Sequence, residues 1–503
     1  MTLQRIELCQ PITTRDGTLA KDSLTSNAVF EKNGNATSLV KRPGLRFESQ
    51  VYSVSNPFFA RANFIAPFLG FMLAGIGNKF YIINLSPVTP TYLQDVIGDT
   101  YTWSWVKSPL DTAFIFHAGS AMYYYTNGAP SLTAITPPVA LISGSLAPGF
   151  VFLNNRYYIA HTGNNLIYTS YIGDYTQWDA NATINFYQTS DNIVGICKHL
   201  NYIFALGKIS GQFFYDSGSG DNVTNPILPA QSYTMEVGCS NGNSIATTDN
   251  TVIWLGKSRS SGNSVYMLDG VSPIKVSNSA IDKILERSSL IEVSSYVVKW
   301  GSHPCYVLTL YDTGVTLVFD MTTQQWHIWT QYTQLTNADQ SYSLGTAGTY
   351  TESYFRMGHA ISTPSRTATA YKVFGLDYYS GALYEFDVGV YQDNSQPIYF
   401  RSKTQITDNG TTKRKFYGRL EIVGDKISGG VMQVRHSGDD YNTYSTFRNI
   451  DLNASRSQIY LGGADRRRSW EFLSTSNVPL RIDGAEIDFR IGEMDQEQNM
   501  GRA

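Results

Sequence analysis

The chain has 503 residues, of which 16% are charged and 42% hydrophobic, with 42 glycines and 34 tyrosines; a disordered chain or a coiled coil needs far more charge, so both are excluded. Thirty-eight Lys and Arg against 41 Asp and Glu leave a net charge of −3, which is no counter-ion for nucleic acid or an anionic membrane. At about 150 residues per domain the length allows three domains, or fewer if one is a large β ring.

In chain order, residues 1–60 are expected as an N-terminal arm and docking segment. Met1 to Pro11 carries Arg5 and Glu7 and no apolar run of the signal-peptide kind. The most apolar stretch, Ala62 to Ile76, contains Pro67, Gly70 and Gly75, and reads as two buried strands with a turn, not as a membrane span. From Phe71 onward one pattern returns: an apolar strand, a Gly-containing turn, and a strand rich in Tyr or Phe. Its copies start at Phe71, Ala113, Arg156, Tyr202, Val252, Tyr306 and Lys372. The spacing is the scale of a four-stranded propeller blade with loops of growing length. One hairpin cannot bury its own face, so the units must stack, and closing the stack into a ring protects the edge strands.

The expectation is therefore an all-β chain: a six- or seven-bladed β-propeller over residues 61–395, followed by a C-terminal β-sandwich-like domain over 396–491. Residues 331–371, polar and rich in Thr, Ser and Tyr, form a long inserted loop, and 492–503 a flexible tail. Seven hairpins need not mean seven blades, since the first and last can complete one blade between them or belong to neighbouring domains. The best helix signal is SAIDKILERSSLIEV, with Ser279 as cap, Asp282 in the first turn, and Ile281, Ile284 and Leu285 on one face. Strand alternation returns in FYGRLEIVG, GVMQVRHSGDD, RSWEFLSTS and PLRIDGAEIDFRI, as in two antiparallel sheets packed face to face.

Chemistry is sparsely written. Cys9, Cys197, Cys239 and Cys305 lie far apart without a CxxC pair, and read as free thiols in a reducing compartment. The seven histidines, at 117, 161, 199, 303, 327, 359 and 436, form neither HxH nor HExxH, so no metal site and no cofactor is expected. Nucleotide-binding and hydrolase-elbow motifs are absent, and no catalytic residue is assigned. Ser437, Asp439, Thr443 and Tyr444 in HSGDDYNTYS resemble the S-x-D-x-G-x-T-W turn of sialidase-type propellers, with Tyr441 in the glycine position. That turn is structural even in those enzymes, so a glycan-binding or sialidase-like propeller is the alternative reading. Two basic clusters stand out: Lys413, Arg414 and Lys415, and Arg466, Arg467 and Arg468. Adjacent residues on a strand alternate faces, so at most two of each three can line one surface. They are candidate subunit or DNA contacts, with subunit contact favoured, because the interleaved aromatics of a single-strand binder are missing.

Three segments resemble the packaged-DNA stabilisation proteins of short-tailed, P22-like bacteriophages, the tail hub or nozzle family. They are KRPGLRF at Lys41 to Phe47, the run VGCSNGNSIATTDNTVIWLGKSRSSGNSVYMLDGVSPIKVSNSAIDKIL from Val237 to Leu285, and RRRSWEFLSTSNVPLRIDGAEID from Arg466 to Asp488. The resemblance implies a structural, non-enzymatic virion protein of the phage tail, made in the host cytoplasm. It implies a homohexameric ring below the portal and its adaptor, the head-to-tail connector. Such a ring extends the DNA channel, retains the genome until ejection, and docks tail fibres, tailspikes or a needle. Double-stranded DNA passes through the lumen without sequence recognition. The long 331–371 insertion and the Gly492 to Ala503 tail depart from the family. Six copies at −3 give 6 × (−3) = −18, so a neutral or acidic lumen is expected, with both basic clusters turned to neighbouring subunits; a basic wall would hold DNA through counter-ion release.

Overall fold

The computed structural model describes residues 2–492 apart from 34–35, 53–60, 99–101, 137–145, 188–190, 219, 249, 335–349, 365–370 and 461. Seven antiparallel sheets follow one another as blades around an axis. Blade one runs from Ala62–Phe68 at the axis through Phe71–Ile76 and Lys79–Leu85 to Val88–Asp95 at the rim. The inner strands of blades two to four are Ser104–Lys107, Val151–Leu153 and Ile193–His199. In blade five Gly238–Cys239 and Ala246–Thr247 share the inner position, and blades six and seven begin with Val293–Trp300 and Met357–Pro364. Each of the seven repeated hairpins is the second and third strand of one blade. Blade seven takes its outer strand, Gly44–Gln50, from the N-terminal side of the chain, paired with Ala382–Asp387. One strand distant in sequence thus closes the ring.

Blade strands read as continuous apolar runs because neighbouring blades cover both of their faces. All five residues of Ala113–His117 are buried. Between blades one and two the aromatics stack: Phe80 and Phe116 lie 5.2 Å apart, Trp103 and Phe116 5.4 Å, Phe64 and Phe114 5.5 Å, the offset geometries that add to area burial. The apolar stretch Ala62 to Ile76 is the expected pair of strands. The helix forms at Ser279–Glu286, but its cap is Asn278, whose side chain accepts from the N–H groups of Ala280 and Ile281; Ser279 is the first helical residue. No described helix is long and apolar enough to cross a membrane.

The C-terminal β domain is a two-sheet sandwich around Trp470, Phe472, Tyr417, Phe489 and Leu420. One sheet is ordered Ala28–Asn33, Ala36–Lys41, Arg481–Ile491, Lys415–Gly424, Gln458–Tyr460, with Thr2–Ile6 also on Arg481–Ile491. The other holds Leu24–Ser26, Phe400–Lys403, Ser469–Ser474, Val431–Ser437 and Arg448–Asp451. Leu24–Ser26 also pairs with Gln325–Gln334, the outer strand of blade six, so one sheet runs from propeller into sandwich. The segment expected as a free N-terminal arm therefore supplies strands to both domains, because its alternating apolar residues, Phe30 and Leu39 among them, complete the sandwich core. The expected 331–371 loop is also partly regular: Tyr350–Tyr354 pairs back on Gln325–Gln334, and Met357–Pro364 is an inner strand. The rest of that stretch, 335–349 and 365–370, and the 493–503 part of the expected tail lie outside the described residues.

The Lys41 to Phe47 motif sits where the parts meet. Arg42 is buried and paired with the equally buried Asp393 at 2.5 Å. Its Nε donates to Asn27 Oδ1 at 2.9 Å and its Nη2 to the Thr330 carbonyl at 2.8 Å, and the guanidinium lies 4.9 Å from the Phe355 ring. Blades six and seven, the sandwich and the N-terminal segment are thereby tied to one cation. Gly44 follows because a Cβ there would run into the Gln392 backbone. Arg42→Ala strands a buried carboxylate and is expected to cost about 3–5 kcal/mol in denaturant unfolding, whereas the apolar double replacement R42M/D393L recovers most of that loss.

Candidate functional site

The two basic clusters lie 51 residues apart in sequence and converge at one end of the sandwich. Lys415 pairs across strands with Asp465, and Arg466 Nη1 reaches the Thr412 carbonyl at 3.4 Å. Each cluster then splits. Lys415 is buried and its ammonium donates to three carbonyls, Thr411 at 2.6 Å, Arg466 at 2.7 Å and Lys413 at 3.0 Å; burial lowers its pKa. Arg468 is buried, with Nε 2.7 Å from Asp465 Oδ2 and its guanidinium 3.8 Å over the Tyr417 ring and 5.2 Å from Trp470. These two are clamps inside the fold. Lys413, Arg414, Arg466 and Arg467 are exposed, two adjacent residues from each cluster in turns that precede the buried third, so the split is not the strand alternation expected from the triplets. Asp465 is engaged by Arg468, and Asp440, which faces Arg467, is held by Arg15 at 2.6 Å. The four exposed cations form a patch whose nearest carboxylates are already paired.

Along the propeller axis lies a cavity of about 490 Å³, lined by inner strands of all seven blades, including Ile65, Trp105, Phe150, Lys198, Thr247, Tyr296 and His359. Its described lining residues include no Asp or Glu, so a carboxylate pair of the glycosidase type has no place there. At about 490 Å³ the cavity is the size of a small-molecule site and not of a duplex, whose major groove alone is about 12 Å wide. Duplex DNA does not pass through a single propeller.

The HSGDDYNTYS turn caps the hairpin between Val431–Ser437 and Arg448–Asp451. Asp439 accepts from the Ser437 hydroxyl at 2.8 Å and from the Thr443 N–H and hydroxyl at 2.9 and 2.6 Å. These bonds hold its carboxyl at about 2. Tyr441 takes the glycine position with φ of 67°. The turn lies in the sandwich, remote from the axial cavity, and its role is local.

All four cysteines are free, three of them buried. Among the described residues no group of His, Cys, Asp or Glu could hold a metal ion. The histidines are structural in their settings. Burial depresses His117, His327, His359 and His436 to about 4. Neither ring nitrogen of His327 has a hydrogen-bond partner among the described residues. His303 is the exception, raised by its 2.8 Å bond to Asp320.

Seven blades and an added two-sheet sandwich define a β-propeller protein. Residues 69–360, 292 of the 503, match the family described as Bacteriophage P22 Gp10, beta-propeller. The chain belongs to this family of packaged-DNA stabilisation proteins from P22-like phages, and is a structural component of the virion. No curated protein matches it. Solved structures of similar fold include the Pan2 WD40 domain of Neurospora crassa, 12% identical, covering 69% of this chain and 94% of that one with a TM-score of 0.41. The N-terminal domain of Nup159 is 11% identical, covering 72% and 98% with a TM-score of 0.41. Neither likeness bears on function.

Two predictions follow from burial. Arg468→Ala is expected to destabilise by about 3 kcal/mol, since it unpairs Asp465 and empties the space over Tyr417, while R466A/R467A leaves the melting temperature unchanged; calorimetry separates them. The four depressed histidines take up protons in the unfolded chain below about 6.5 but in the folded chain only near 4. Their contribution is therefore intact above pH 6.5 and lost as pH falls toward 4. His303 has the opposite sign and is outnumbered. Melting temperature is expected to drop through that window, and less steeply in His327→Phe.

Proposed function

We propose that the chain is the subunit of a hexameric tail nozzle, docked beneath the phage's head-to-tail adaptor and so indirectly beneath the portal. The ring extends the DNA channel, retains the packaged genome and offers docking surfaces to tail fibres, tailspikes or a needle. The observation that carries this reading is the axial cavity. A member of a DNA-stabilising family whose own propeller bore excludes duplex can enclose DNA only between subunits, which calls for a ring. The net charge of −3 per chain supports a lumen that lets DNA slide, because few counter-ions are displaced and little affinity opposes exit. The exposed cations Lys413, Arg414, Arg466 and Arg467 then belong at subunit contacts and not on the lumen wall. The role is mechanical and needs no catalytic group.

Electron microscopy of particles carrying an epitope-tagged copy, with a null mutant beside them, tests this. Label confined to the tail and null heads that fill and then leak DNA are expected. A chain absent from particles, or null particles that keep their DNA, overturns the reading.

A further inference from the structure

The outer edges of blades three and four carry an apolar patch open to solvent. Ile172, Tyr215, Val223 and Leu228 are 42, 40, 60 and 43% exposed. They form one surface: the Ile172 N–H donates to Asn222 Oδ1 across the two blades at 2.9 Å, and Tyr215 and Leu228 are direct cross-strand partners. Between Tyr171 and Glu236 the sequence has six carboxylates and two cations, Lys198 and Lys208. Asp174, Asp216 and Asp221 border the patch, each held by a turn N–H, from Thr176, Gly218 and Thr224, at 2.6 to 2.8 Å. Arg156 lies buried beneath, its guanidinium donating to the Ser170 carbonyl at 3.1 Å and to the Asp221 carbonyl, so the exposed border is acidic; apolar area with an aromatic inside such a border is the make-up of a specific protein interface.

The basic end of the sandwich is its counterpart. Phe416 and Ile491 are 52 and 48% exposed there, among the four exposed cations of the two clusters and Arg490, the cross-strand partner of Phe416. Each surface would repel its own copy, so neither suits a two-fold contact; together they are complementary. They cannot meet within one chain. The sandwich is joined to blades six and seven, at Leu24–Ser26 and at Arg42 with Asp393, and in a ring of seven blades the opposite position is blade three. Arg15, which holds Asp440 beside Arg467, also rests on the helix Ser279–Glu286, whose Lys283 donates to the Arg15 carbonyl at 3.2 Å, so the basic end stays on the side of blades five and six.

We propose that the Phe416-bearing basic end of one copy docks on the Val223 patch of the next copy. Each copy offers one surface of each kind, so the contact is head-to-tail, the kind that builds a ring when its rotation closes. The inference deepens the nozzle reading and rests on it.

Charge exchange tests it in full-length protein. R466E/R467E and V223K/L228K are each expected to weaken self-association, and recovery in tagged particles, by about tenfold or more. The combined variant places carboxylates opposite ammonium groups and is expected to recover most of the loss. Thermal melting equal to wild type shows that each variant folds. Unweakened association in either single set, or no recovery in the combination, overturns the contact. If wild-type tails carry the label as a ring while the variants assemble normally, the contact fails and the nozzle stands. If the wild-type chain is missing from tails, the nozzle reading itself falls.

Discussion

One buried cation organises the architecture. Arg42 and Asp393 are both nearly inaccessible, and a guanidinium in such a place is tolerable only when its donors and its counter-charge are all satisfied. Satisfying it recruits Asn27 from the N-terminal segment, Thr330 from blade six and Asp393 from the stretch after blade seven. Two residues further on, Gly44 opens the strand that closes the ring. Propeller closure and attachment of the sandwich are therefore set by the same few atoms, and the domains have little freedom to move apart. Lys41 adds to this: its ammonium, buried against the Ser476 carbonyl at 2.6 Å, is brought down to about 7 by burial and by the neighbouring Arg42.

Around that junction the fold divides its labour by burial. The middle strands of the blades are largely buried apolar residues, and the axis is left with a small cavity lined by strand residues. Neither the blade interiors nor the axis has room for a macromolecular partner. Exposed charge and apolar area coexist at the rim of the disc and at the exposed end of the sandwich. A virion protein that stabilises packaged DNA works by position, and the propeller supplies rigid, closed geometry for that purpose with few exposed strand edges.

The two basic clusters show where a charge run misleads. Six consecutive-looking cations in two triplets suggest six surface contacts, yet Lys415 and Arg468 are inside, fixing loops and an aromatic pair, and only four reach solvent. The split follows the strand boundary and not alternation: Lys413, Arg414, Arg466 and Arg467 lie in exposed turns, while Lys415 opens a strand and Arg468 bridges to Thr407, which turns both inward. The convergence of the triplets was not legible in them, because it depends on pairing between Lys415 and Asp465 across 50 residues. The Val223 patch gave no motif at all: its members are scattered from Ile172 to Leu228, and only the packing of blade three against blade four makes them one surface.

The sequence by itself determined the all-β class, the hairpin repeat and the family, because each is a local property: apolar runs at strand length, a glycine-bearing turn, and motifs read within one segment. The sandwich strands after residue 396 were legible for the same reason. Tertiary structure alone decided the blade count, because the seventh hairpin becomes a closed blade only when Gly44–Gln50 arrives from more than 300 residues away. It also decided that Thr2–Ile6, Leu24–Ser26, Ala28–Asn33 and Ala36–Lys41 are strands of the sandwich. An alternating strand reads alike whether it pairs with a neighbour or hangs free, and its burial is fixed only by the apolar face, here that of Trp470 and Phe489, that long-range folding brings against it.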